Sequence, residues 1–111
     1  MAAPDKRLYI PSPGGLGDLP FSNAVIAGNT VYLGGHIGFD PATKKLPDDI
    51  ELEARFVLDG LRDTLTRSGL AMSDLVSLTV SCPDLSLYER FNAVYRTYFR
   101  APFPARAFIG S

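Results

Sequence analysis

The side chains able to do chemistry are few, and an arginine is the most constrained of them. Pro102-Phe103-Pro104-Ala105-Arg106 sets a guanidinium at the start of an extended run, behind prolines that stiffen the approach. A guanidinium stays charged at any working pH and grips a carboxylate through two parallel N–H bonds, so this arginine suits the anchoring of an acid substrate; a surface ion pair is the bland alternative. His36, the only histidine, is the one side chain that ordinarily titrates near neutrality. No Ser or Cys nucleophile is tied to it by spacing, so both a hydrogen-bonded strand residue and a general base stay open. Gly34 and Gly35 precede it, and glycines within a strand mark a bulge or a close approach by backbone or ligand. Asn92 adjoins Phe91 on an apolar helical stripe, where a buried amide must find partners. The lone Cys82 reads as an inert apolar residue; one Cys and one His allow neither an internal disulfide nor a structural zinc site. Gly14-Gly15-Leu16-Gly17 lacks the spacing and the following helix of a phosphate loop.

The elements that must position these residues can be read from periodicity. Arg7-Leu8-Tyr9-Ile10 reads as an edge strand in an otherwise loop-like segment 1–18. Two β-prone runs around Val25 and Tyr32 flank Gly28-Asn29 and predict a hairpin; Asp40-Pro41 starts a turn. From Asp48 to Leu70, Ile50, Ala54, Val57, Leu58, Leu61 and Leu65 recur at three and four, an amphipathic helix closed by Gly69, with Glu51–Arg55 and Asp63–Arg67 pairs on its other face. Val76 to Cys82 alternates as a strand with Cys82 on the apolar side. A second helix is predicted from a Ser86/Glu89 capping box, with Leu87, Phe91, Val94, Tyr95 and Tyr98 as its stripe and Pro102 and Pro104 as its end; Ala105 to Ile109 is extended again.

This order predicts a single α+β domain over 1–111, one mixed β-sheet with two helices packed on one face. The other face must be polar or buried against another subunit. The 111 residues, 46% hydrophobic and 21% charged, exclude a disordered or fibrous chain. A net charge of -1 offers no electrostatic footprint for nucleic acid or anionic membrane. No leader-like or membrane-spanning apolar run occurs, so the expected location is cytoplasmic.

Four segments in register resemble the RidA (YjgF) family of imine deaminases, also labelled endoribonuclease L-PSP. Leu19-Pro20-Phe21-Ser22-Asn23-Ala24-Val25 is similar to its G-P-Y-S-Q-A-V, Gly34-Gly35-His36-Ile37-Gly38-Phe39-Asp40-Pro41 to S-G-Q-I-P-x-x-P, Phe91-Asn92 through Phe99 to x-N-x-x-Y-x-x-x-F, and Phe103-Pro104-Ala105-Arg106 to the start of F-P-A-R-S. The resemblance implies a chorismate-mutase-like sandwich, a homotrimer with sites in the inter-subunit clefts, and hydrolysis of 2-imino acids to 2-oxo acids and ammonia without metal or cofactor. Carried over, Arg106 holds the substrate carboxylate, the backbone around Phe108 helps position the attacking water, and Asn92, Gly35 and Phe21 line the cleft, with Gly34 and His36 beside them.

The departures are informative. Phe21 stands where a Tyr is usual, Gly34 where a Ser is usual, His36 for Gln, and Ala107-Phe108 for Ser-Cys. Loss of two hydroxyls predicts a larger or more apolar substrate. The family's final strand, which bears a Glu that works with the water, would follow Ser111, so a longer parent chain is expected. A non-enzymatic carboxylate-binding member and an endoribonuclease or translation inhibitor are the alternative functions.

Overall fold

The computed structural model describes residues 7–12 and 19–110. Along the chain run β1 (Arg7–Ile10), β2 (Ala24–Ala27), β3 (Thr30–Leu33), α1 (Ile50–Arg67), β4 (Ser77–Cys82), α2 (Tyr88–Tyr95) and β5 (Ala105–Gly110). The α+β order is the one that periodicity predicts. The loop expected around Gly14-Gly15-Leu16-Gly17 lies outside the described residues.

Local chemistry explains most boundaries. Gly28 takes φ +61° between β2 and β3, a conformation that costs a residue without Cβ little, and the two strands pair antiparallel. Asp49 caps α1, its carboxylate accepting from the Glu51 N–H at 3.2 Å; Gly69 at φ +80° lets Leu70 N–H return to the Leu65 carbonyl. The Asp63–Arg67 pair forms at 3.2 Å, and Asp49 pairs across elements with Arg90 at 3.1 Å. Glu51–Arg55 is not among the ion pairs of the described residues.

Two expectations at α2 are corrected. A 3-10 turn, Leu85–Leu87, precedes the helix, and Asp84 rather than Ser86 is its cap: the Asp84 carboxylate accepts from the Ser86 N–H at 2.9 Å and the Ser86 hydroxyl at 2.6 Å. An ionised carboxylate is the stronger acceptor and draws the serine hydroxyl away from any box with Glu89. α2 also ends at Tyr95, before the prolines, because Thr97 and Tyr98 N–H groups bond three residues back and Thr97 Oγ1 donates to the Val94 carbonyl at 2.6 Å.

The single mixed sheet is corrected as well. β1-β2-β3 is one antiparallel sheet and β4-β5 a separate parallel pair. Both still cover one helical layer. Ala54, Leu58, Leu61 and Leu65 of α1 meet Phe91, Val94, Tyr95 and Phe99, and Leu33 from one sheet and Leu78, Val80 and Phe108 from the other pack against that cluster. Apolar contact thus aligns sheets that no backbone ladder joins among the described residues. In the first sheet the register sets Ala24 opposite Leu33 on the inward face; Tyr9, Val25 and Tyr32 form the outward row, with Tyr9 and Tyr32 59% and 64% exposed.

Candidate active site

α2 and β5 build a cavity of ≈ 210 Å³. Tyr88, Asn92 and Tyr95 project from successive turns of α2 and Arg96 from its C-cap, while Phe103, Pro104 and Arg106 close the other side. Pockets for drug-sized ligands run to about 300–1,000 Å³, so this one suits a small metabolite.

Arg106 is the second residue of β5 rather than the first. It stands opposite Leu78 of β4, with Phe108 opposite Val80, so Arg106 and Phe108 share the strand face turned toward α2. The guanidinium carbon lies 4.6 Å from the Tyr95 ring centroid, 5.6 Å from those of Tyr88 and Phe108, and 5.8 Å from that of Phe91. Four electron-rich ring faces hold the cation in place without spending any of its N–H donors. Among the described residues no carboxylate pairs with it. A half-buried guanidinium with free donors facing a small cavity is a receptor for a planar anion. Phe108 braces this arrangement, its ring edge-on to Tyr88 at 5.0 Å and to Phe91 at 5.6 Å.

Two residues that line this cavity carry further buried polar atoms without a partner among the described residues: Asn92 Oδ1 and the Tyr95 hydroxyl. Burial pushes the Tyr95 phenol up, partly opposed by the Arg106 charge, so the phenol stays protonated and can donate. The pocket therefore offers cationic donors, the Asn92 amide acceptor and the Tyr95 phenol, with Tyr88 also on its wall. Among the described residues no group of three or more His, Cys, Asp or Glu is placed to hold a metal ion.

The remaining sequence-derived residues stand elsewhere. Phe21, Gly34, Gly35 and His36 do not line this cavity; they flank the antiparallel sheet, Phe21 before β2 with its side chain 55% exposed, and the other three after β3. Gly34 is a site of close backbone approach, for a Cβ there would sit 3.1 Å from the Ser22 carbonyl oxygen, whereas Gly35 faces open space. His36 is wired into a polar cluster: Nδ1 lies 2.9 Å from the Gly34 carbonyl oxygen and Nε2 2.9 Å from Thr64 Oγ1 on α1. Asn23 Nδ2 donates to the same hydroxyl at 2.8 Å. A carbonyl only accepts, so Nδ1 carries the proton of the neutral ring, and Nε2 shares the single Thr64 hydroxyl proton with the Gly60 carbonyl, 3.1 Å from Thr64 Oγ1. Burial is the main force holding His36 below its ordinary pKa; the Arg67 charge adds to it and the Gly34 bond opposes it. Cys82 is buried as expected, its thiol 3.3 Å from the Asp84 carbonyl.

Sequence reasoning missed Tyr88, Arg96, Thr64 and Asn23. Tyr88, Asn92, Tyr95 and Arg96 recur at three and four, along an edge of the apolar stripe that shares Tyr95 with it; that spacing was the available signal. No local signal links Asn23, His36 and Thr64.

An α+β chain with a small arginine-anchored pocket between a helix and a parallel strand defines the class, and comparison with known proteins supplies the family. The endoribonuclease L-PSP pattern matches residues 17–111, and the chain belongs to this family, the RidA (YjgF) family. It is 36% identical over 89 residues to the 2-iminobutanoate/2-iminopropanoate deaminase of Bos taurus, covering 79% of this chain and 65% of that protein. It is 35% identical over 91 residues to a RutC family protein of Sulfurisphaera tokodaii, covering 81% and 73%. The chain thus spans about two thirds of the length of such relatives. Among solved structures, RidA from an Antarctic Psychrobacter superposes with a TM-score of 0.79 at 33% identity, covering 93% of this chain and 80% of that one. The Rid family protein YyfA from Yersinia pestis gives 0.85 at 26% identity, covering 96% and 86%. Among the described residues no helix is long and apolar enough to cross a membrane.

Proposed function

We propose that the protein hydrolyses 2-imino acids to 2-oxo acids and ammonia at a cleft shared by neighbouring copies of a homotrimer. The observation that carries this reading is the Arg106 guanidinium, fixed by four rings, unpaired among the described residues and open to a small cavity. Its two-pronged donors hold the substrate carboxylate. The buried Asn92 Oδ1 accepts from the N–H of the bound iminium, which orients the C=N carbon and favours its protonated, electrophilic form. Water adds to that carbon: a C–O bond forms and the C=N pair moves to nitrogen. The carbinolamine then passes a proton from oxygen to nitrogen, the C–N bond breaks, and a 2-oxo acid and an ammonium ion leave. β5 is laddered on one edge only among the described strands, so backbone groups near Phe108 can hold the water.

A trimer is supported by the outward row Tyr9, Val25 and Tyr32, an apolar sheet face with none of the described helices over it. It would also bring Phe21, Gly34, Gly35 and His36 of one copy to the Arg106 pocket of the next, uniting the two groups of site residues. The test generates 2-iminopropanoate in place from alanine with an amino-acid oxidase and measures loss of the imine against semicarbazide trapping. Trapping unaffected by the protein would leave the carboxylate-binding alternative standing.

A further inference from the structure

We propose that Arg96 makes the Arg106 pocket selective for 2-imino acids that carry a second carboxylate, a reading that rests on the deaminase function above and narrows its substrate class. Among the described residues the cavity is lined by two arginines, Arg96 and Arg106, and by no Asp or Glu. Arg96 forms no ion pair among the described residues; its guanidinium carbon lies 6.0 Å from the ring centroid of Phe103, a different ring from the four that cradle Arg106.

Two like charges around one small cavity repel each other; Arg106 is half-buried among its rings, while Arg96 is exposed. A monocarboxylate relieves one of them. A dicarboxylate relieves both, because a short carbon chain places its two anionic groups apart across the same space. The volume, ≈ 210 Å³, suits small metabolites of the size of the imines of four- and five-carbon dicarboxylic amino acids. Asn92 Oδ1 and the Tyr95 hydroxyl, buried and unpaired in residues that line the same cavity, then serve the imino group. The larger substrate expected from Phe21 and Gly34 gains here a charged tail in place of an apolar one.

The experiment compares wild type, Arg96→Gln and Arg96→Lys on imines generated in place from aspartate, glutamate, alanine and leucine by the matching oxidases. Calorimetry of 2-oxoglutarate against 2-oxobutanoate supplies a readout independent of turnover. The expected result is a dicarboxylate-over-alanine ratio in kcat/KM that falls about tenfold in Arg96→Gln, the loss typical of one charge-assisted bond, and is partly retained in Arg96→Lys. Raising the salt concentration should shrink the same ratio. A ratio unmoved by Arg96→Gln, or a wild-type preference for the leucine-derived imine, overturns the proposal. Absence of turnover on all four imines sinks the deaminase reading alone; tighter binding of 2-oxoglutarate that Arg96→Gln abolishes would still uphold the second-carboxylate site, and equal binding of the two oxo acids would overturn it.

Discussion

His36 Nε2 faces Thr64 Oγ1 at 2.9 Å, which ties the segment after β3 to the middle of α1 across 28 residues of sequence. The other ring nitrogen is occupied by the Gly34 carbonyl, so neither is free to act as a base toward substrate. The ring works as a tie that sets Gly34 against Ser22 and joins the antiparallel sheet to the helical layer.

That tie has a pH signature. The folded protein holds His36 below its ordinary value of 6.5, so below that value the unfolded chain binds a proton that the folded chain resists. The stabilising contribution is complete above pH 6.5 and is lost as the pH falls from there through the lower folded value. Urea midpoints measured from pH 8 to 5 should decline in wild type, and His36→Gln should flatten that part of the decline. Parallel profiles for the two proteins would refute the coupling.

Thr64 is the hub of the cluster, 1% exposed, and its hydroxyl meets Asn23, His36 and the Gly60 carbonyl. Thr64→Val keeps the shape and leaves buried polar partners unsatisfied, at a cost of about 1–3 kcal/mol. Chemical denaturation gives the number; a variant as stable as wild type would mean that the cluster contributes nothing net.

Arg106→Ala should lower kcat/KM for any 2-imino acid by roughly 10- to 100-fold, the loss of a charge-assisted bond, while far-UV circular dichroism stays unchanged. Arg106→Lys should recover little, since an ammonium lacks the planar fork that sits among the rings of Tyr88, Phe91, Tyr95 and Phe108. Activity of the alanine variant within threefold of wild type would remove Arg106 from the site.

Light scattering should report about three times the chain mass. Tyr32→Glu places a charge in the outward row and should yield a smaller species with lost activity, because the two groups of site residues would separate. A wild-type monomer that remains active would show that one copy holds a complete site.

What the sequence by itself determined was everything set by neighbours a few residues apart. The Gly28 turn, the Asp49 and Gly69 ends of α1, the alternation that buries Cys82, and the arginine behind two prolines are local, because backbone sterics and short side-chain bonds act over one turn or one pleat. Even there, competition between near neighbours misled at Ser86, where Asp84 two residues away is the stronger acceptor. Tertiary structure alone decided the division into two sheets, the ring of four aromatics around Arg106, the entry of Arg96 into its pocket, and the meeting of Asn23, His36 and Thr64. Each depends on packing between elements far apart in the chain, which spacing does not encode, and on which buried polar groups find partners once the apolar faces have closed.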